Sequence, residues 1–311
     1  MKHISIPYMG SKRKLAPKII EKIIQDNPNV RYIWDLFGGG GAISFYALQR
    51  SQFKKVFYNE LNTGVVELIK DIRDNGVTEK YFKWVDRETF HRHKLDDDWF
   101  GGFVKTCWSF GNRGDTYLFS EENERLKKPL HQAIVENNPK YLNDFYDVSG
   151  LKIDPRFIEG ETIHDRRMNL MNYIKKEISG RMELQRLEQL EQLQRLQRLQ
   201  QLQQLQQLEI TNLSYKDVVI STPIDETIIY LDPPYQDTGS YQLEIDYDEL
   251  HEYFNSSPYK IYLSSYEFAS GVEVDRYEHR SILSATANNL VIEKLFCNKP
   301  HIKVGETYDL F

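Results

Sequence analysis

The stretch Thr227-Ile228-Ile229-Tyr230-Leu231-Asp232-Pro233-Pro234-Tyr235 restricts the fold more than any other part of the chain. Five apolar and β-branched residues read as a strand, and two prolines, which lack the amide hydrogen that a ladder needs, stop it. A sheet therefore ends there and a stiff polar loop begins. In an open α/β sheet, ligands bind outside the carboxyl ends of the strands, so the Asp232 carboxylate and the Tyr235 ring would face a crevice. The plain alternative is a strand terminator with no chemistry, and the rest of the chain has to decide between the two.

The loop offers a carboxylate and proline-fixed carbonyls as acceptors for a planar amino group, with an aromatic ring to stack on the base that carries it. A flipped adenine suits such a pocket.

Nearer the start, Arg31 to Phe37 reads as a strand that breaks into Gly38-Gly39-Gly40-Gly41 and then a helix-like Ala42 to Leu48. Glycines there let the backbone approach a ligand and take positive φ. The spacing does not complete GxGxxG, because Ile43 holds the last position, and this disfavours a dinucleotide fold. A second strand, Lys55 to Asn59, ends in Glu60, about twenty residues beyond the glycines, where an acid can accept both ribose hydroxyls. An adenosine cofactor and a purely structural turn both fit the pattern. Ahead of it, Gly10-Ser11-Lys12-Arg13-Lys14 opens a helix whose apolar positions Leu15, Ile19, Ile20, Ile23 and Ile24 recur at helical spacing. Lysines at a helix start oppose its dipole, so they either answer a negative partner or form a solvated basic turn.

Together these segments carry a resemblance. Tyr8-Met9-Gly10-Ser11-Lys12, Asp35-Leu36-Phe37-Gly38-Gly39-Gly40, Asn59-Glu60-Leu61-Asn62 and Asp232-Pro233-Pro234-Tyr235 stand in the order seen in Dam-like adenine-N6 DNA methyltransferases. The resemblance runs from Tyr8 to about Phe296. It implies S-adenosylmethionine as cofactor and double-stranded DNA as substrate, with no metal. It further implies that Tyr8, Gly10 and Lys12 lie at the cofactor's methionine end, that Asp35 and Phe37 to Gly40 wrap it, and that Glu60 holds the ribose. Asp232 would border both cofactor and base, with Pro233, Pro234 and Tyr235 completing the catalytic loop. Many relatives have Asp-Phe lining the adenine pocket where this chain has Ser214-Tyr215, so the Tyr215 ring stays and the acid is lost.

The fold expected is α/β: a Rossmann-like methyltransferase sheet with helices on both faces, a smaller and mostly helical DNA-recognition lobe, and a leucine-triplet insertion. The catalytic domain would comprise residues 1–76 and 208–311, the recognition lobe 77–180 and the insertion 181–208. Within the lobe, Gly111-Asn112-Arg113-Gly114 between aromatic stretches would form a hairpin whose Asn112 and Arg113 reach base edges or phosphates, or else an ordinary loop. Lys127 and Lys128 read as phosphate contacts or a solvated face. From Leu184 to Leu208 leucine returns at every third position. Three residues advance about 300° on a helix, so no single face stays apolar, and a protruding helix, a small solenoid and disorder all remain open. That leucine load raises self-association, which leaves a monomer or a weak homo-oligomer.

With 311 residues the chain can hold two lobes, and its net charge of -6 argues against coating nucleic acid indiscriminately. Two cysteines are too few for a disulfide framework or a zinc site. Without a signal-peptide pattern or a membrane-spanning run, the expected location is cytoplasmic. Cytosine-N4 methylation and RNA methylation share the geometry, and a catalytically silent DNA-binding module is the rival from another class. Cytosine-C5 chemistry lacks its Pro-Cys setting at Cys107 and Cys297, and a dehydrogenase would leave Asp232 to Tyr235 unexplained.

Overall fold

The computed structural model describes residues 5–177, 205–234, 245–280 and 290–300. It divides into two compact units: Met1–Ser5, Gly10–Val66 and Gln204–Phe311 form one, and Ile6–Met9 with Glu67–Gln203 the other.

The first unit is built on a seven-stranded sheet. In chain order its elements are α1 (Ala16–Asp26), β1 (Tyr32–Asp35), α2 (Ala42–Ala47), β2 (Lys55–Asn59) and the start of α3 (Thr63–Asn75). After the second unit's residues come β3 (Leu208–Thr211) and β4 (Thr227–Leu231). The helix Tyr247–Ser256, then β5 (Lys260–Ser265), β6 (Val272–Arg280) and β7 (Leu290–Cys297), complete it. The strand order is β3-β2-β1-β4-β5-β7-β6. The neighbours from β3 through β5 pair parallel, while β7 runs antiparallel to both β5 and β6. This is the α/β sheet that the sequence leads one to expect. From β1 the chain builds outward to β2 and β3, then returns to add β4 and β5 on the other side. The order thus reverses between β1 and β4, and such a switch point opens a crevice at the carboxyl ends of the two strands.

Burial explains the apolar runs. All five residues of β4 and the last three of β1 are buried, as befits parallel strands covered on both faces. On α1, Ile19, Ile20 and Ile23 are fully buried, the stripe that their spacing requires. Pro17 sits in the first turn of α1, and the Asn27 side chain closes the helix by donating to the Ile23 carbonyl at 2.7 Å. Trp34 of β1 stacks on Phe57 of β2 at 3.8 Å between ring centroids. The Tyr247–Ser256 helix starts on Asp246, whose carboxylate accepts from the amides of Asp248 and Glu249, and it buries Leu250 and Phe254. Strand β6 is not evident in the sequence. Val272 to Arg280 is crowded with charge because it forms the edge of the sheet, where charged side chains blunt pairing with other chains. Strand β6 ends at Arg280, β7 begins at Leu290, and 281–289 lie outside the described residues.

The second unit is helical among its described residues, with α4 (Arg87–His93), α5 (Trp99–Cys107), α6 (Glu121–Ile134), α7 (Tyr141–Ser149) and α8 (Ile163–Glu177). The split falls within α3, so the residues of that helix from Glu67 onward count with this unit. Asp86, Asp98 and Ser120 cap α4, α5 and α6 through their side chains. Its core is aromatic, with Tyr81, Phe90, Phe103, Trp108 and Phe145 fully buried. The leucine triplets between 184 and 204 lie outside the described residues. We denote the helix Tyr247–Ser256 as α9.

Candidate active site at the carboxyl ends of the sheet

The register sets the site. Asp35 is the last residue of β1 and pairs with Tyr230, so β4 runs one residue further and delivers Asp232 just beyond the sheet. Asp232 is not alone there. A 3-10 turn over Lys12–Lys14 precedes α1 and buries Lys12, whose Nζ lies 2.7 Å from Asp232 Oδ1 and 3.5 Å from Glu293 Oε1. Glu293 is a carboxylate in the middle of β7 and is 1% exposed. Burying a charge costs roughly several kcal/mol unless well-placed partners offset it, so a buried lysine that meets a buried and a half-buried carboxylate is not a by-product of packing.

The electrostatics follow from that arrangement. Burial pushes the Asp232 carboxyl up to about 6; Lys12 pulls it down and Glu293 pushes it further up. Asp35 is pushed up to about 7, chiefly by burial, against the pull of its bond from Ser44 and with the help of Asp232 and Glu60. Ser44, on α2, donates to Asp35 Oδ2 at 2.7 Å, while Oδ1 is sealed from solvent with no hydrogen-bond partner among the described residues. Tyr266, just past β5, is also pushed up, by burial first and then by Glu293, with Lys12 opposing and Asp232 adding. The Tyr230 hydroxyl shares a 2.6 Å bond with Ser264 of β5, and the Tyr247 hydroxyl donates to the Pro234 carbonyl. The Asp232 loop is thus tied at both ends.

The glycine loop lies beside this cluster. Gly39 and Gly41 take φ of 47° and 75°, in the left-handed region that favours glycine. At Gly41 an added Cβ would come within 2.2 Å of the Phe45 ring, so both the angle and the space require glycine. Glu60 fixes the loop from the next strand: Oε2 accepts from the Gly39 amide and Oε1 from the Asn62 amide, each at 2.8 Å. One wall is aromatic, with Phe37 5.1 Å from Tyr215 and Tyr215 5.3 Å from Tyr253, centroid to centroid. Lys12, Asp35, Phe37, Gly38, Gly39, Gly40, Glu60, Tyr215, Asp232, Pro233 and Pro234 therefore all belong to the first unit, as does Gly10. Tyr8 falls within Ile6–Met9 of the second. Tyr235 lies outside the described residues.

Chemically, Glu60, Asp232 and Glu293, with Lys12 as counter-charge and Asp35 held partly protonated, make an acceptor-rich site at the end of a sheet. Such a site suits a cationic ligand whose hydroxyls and amino groups need acceptors. Sequence reasoning missed Glu293, Ser44 and Tyr266. For Glu293 the signal was present, an acid interrupting Leu290-Val291-Ile292 and Leu295-Phe296, where a strand core should be apolar.

In the second unit, Ser109 and Tyr117 form an antiparallel bridge, and the loop between them carries the Gly111 to Gly114 segment. Gly111 and Asn112 both have positive φ, and Arg113 is exposed. Asn112 Oδ1 is sealed without a hydrogen-bond partner among the described residues. Lys128 is half-buried, and Lys127 is buried with its Nζ 5.0 Å over the Phe119 ring.

Residues 8–143 match the model of a family described as D12 class N6 adenine-specific DNA methyltransferase. That match bears out the resemblance to the Dam-like family. It takes in the Tyr8 to Lys12 segment, the glycine loop and Glu60, and stops before Asp232. Among curated proteins none matches the chain. No helix among the described residues is long and apolar enough to cross a membrane.

Proposed function

From the D12-class match over residues 8–143 and the acid-lined site, we propose that the protein is a site-specific DNA adenine-N6 methyltransferase that uses S-adenosylmethionine and acts on an adenine flipped out of double-stranded DNA. The observation that carries this reading is the placing of Asp232, tied to Lys12, at the switch point beside the Glu60-braced glycine loop.

The residues fit the cofactor. Glu60 brings a carboxylate to the glycine loop, where ribose hydroxyls would sit, Phe37 and Tyr215 offer faces for its adenine, and the sealed Asp35 Oδ1 and the Asp232 carboxylate supply acceptors for its charged amino acid end. When bound, the cofactor supplies a methyl group on a sulfonium, which departs as a neutral thioether.

The protein's own part begins with the acceptor nitrogen. Adenine's amino lone pair is delocalised into the ring, so the nitrogen must be made more nucleophilic and aligned. The Asp232 carboxylate and the Pro233 carbonyl accept its two hydrogens and favour a tetrahedral nitrogen. As the new N–C bond forms, that nitrogen sheds a proton, and a carboxyl poised at about 6 can take it. Tyr235 stacks on the base, offsetting part of the few kcal/mol, roughly, that unstacking costs. Residues 77–180 serve as the recognition lobe, with exposed Arg113 as a contact to guanine or phosphate, while residues 1–76 and 208–311 form the catalytic domain.

The test is transfer of labelled methyl from S-adenosylmethionine to unmethylated duplex DNA, with product nucleosides identified. N6-methyladenine in one short motif is the expected result. N4-methylcytosine, methylated RNA alone, or cofactor binding without product would each overturn the reading.

A further inference from the structure

Glu293 has no place in the mechanism above, yet it is one of the most costly residues in the fold. A glutamate at 1% exposure in a strand flanked by two others forfeits its hydration and needs a reason. Its cation is Lys12, which it shares with Asp232. One ammonium between two carboxylates is an unequal arrangement, at 2.7 Å to one and 3.5 Å to the other. Simple neutralisation of Lys12 needs only Asp232.

We infer that Glu293 is a positioning residue for methyl transfer: by taking a share of the Lys12 ammonium it keeps that lysine from fully quenching the Asp232 carboxylate, which stays a strong acceptor for the amino hydrogens of the target base. The inference rests on the proposed reaction for its purpose, but the coupling itself is a property of the folded chain. Among the described residues, charged or titratable groups bear on Asp232 from five elements. Lys12 approaches from the turn before α1, Glu293 from β7, Asp35 from the end of β1, Tyr230 from β4 and Tyr266 from the segment after β5. Of these Lys12 alone stabilises the charged carboxylate, and Glu293 touches that lysine directly.

A Glu293→Gln substitution keeps the volume and removes the charge. Lys12 then keeps Asp232 and loses its second carboxylate, and the Asp232 midpoint should fall by about one pH unit, since a nearby like charge acts on that scale. The experiment is a carbon-13 carboxyl titration of the full-length protein labelled at aspartate, with the Asp232 signal identified by its loss in Asp232→Asn. The same preparations give kcat and KM for methyl transfer against pH. The expected result is a downward shift of the Asp232 midpoint in Glu293→Gln, an acid limb of kcat that moves with it, and a fall of kcat with little change in KM; Glu293→Asp should restore part of both. An unmoved Asp232 midpoint overturns the inference even if the variant is less stable, because it would reduce Glu293 to a structural counter-charge. Should Glu293→Gln fail to fold, Glu293→Asp takes its place, and an unchanged midpoint and kcat there count against the inference. A shifted midpoint in a protein that methylates no DNA upholds the coupling and overturns the proposed function instead, so the two failures separate.

Discussion

The Lys12 Nζ and Asp232 Oδ1 lie 2.7 Å apart, with their side chains only 6% and 18% exposed, so the basic turn before the first helix answers a carboxylate within its own fold. Lysines at a helix start are electrostatically misplaced for the helix. Lys12 is well placed for the loop after β4.

Lys12→Met should therefore destabilise the fold in a pH-dependent way. Removing one member of a buried ion pair typically costs about 3–5 kcal/mol because it strands the other charge. Here the charge stranded at closest range is that of Asp232, whose carboxyl burial already pushes up to about 6, so protonation can neutralise it. Urea unfolding should show the larger loss at pH 8 and a smaller one at pH 5. Equal losses at the two pH values would mean that the lysine acts by packing alone.

Asp232→Asn preserves shape and removes the charge. Transfer should fall by about 10²–10³, the usual scale for losing one charge-stabilising group in an active site, while duplex DNA affinity stays within about threefold. Paired rate and binding measurements check this, and retained turnover would contradict the assigned role.

Glu60→Ala removes the acceptor for both the Gly39 and the Asn62 amides. Hydrogen bonds to a charged group are worth roughly 1.5–3 kcal/mol each, so the glycine loop should slacken and the cofactor dissociation constant rise at least about tenfold. Calorimetric titration with S-adenosylmethionine reads the change. Glu60→Gln, able to accept only through one oxygen, should fall between the two.

Asp35→Asn should change how stability depends on pH. In the folded chain the Asp35 carboxyl is raised from 3.8 to about 7, so between those values the native state holds a proton that the unfolded chain has lost. Stability of the parent protein therefore declines as pH rises through that window. Asn removes the decline, and the variant should gain on the order of 2–4 kcal/mol relative to its parent on going from pH 4 to pH 8. Thermal unfolding across that range tests it; parallel profiles would show that Asp35 titrates normally.

Much of this site is legible in the sequence because its signals are local. Proline after an apolar run ends β4 at Leu231, glycine where φ is positive marks the loop at Gly39 and Gly41, and an acid at the end of β2 braces it. What is not legible is long-range. Nothing near Lys12 announces Glu293, and nothing near Asp35 announces that Ser44, one turn into the next helix, will hold it. Strand β6 escapes for a different reason: an edge strand spends its side chains on charge, and so it carries neither an apolar run nor clean alternation.

The meeting of Lys12 with Glu293 also has a bearing on how the chain matures. One partner is made early in synthesis and the other late, and the strand that carries Glu293 must enter between β5 and β6 before the lysine finds its second acid. Contacts so distant in sequence form slowly, since the intervening chain must first be ordered. A nascent chain thus holds its glycine loop and Asp232 before it holds the full charge cluster. A copy that stops short of β7 carries Lys12 and Asp232 without the second carboxylate that meets the lysine.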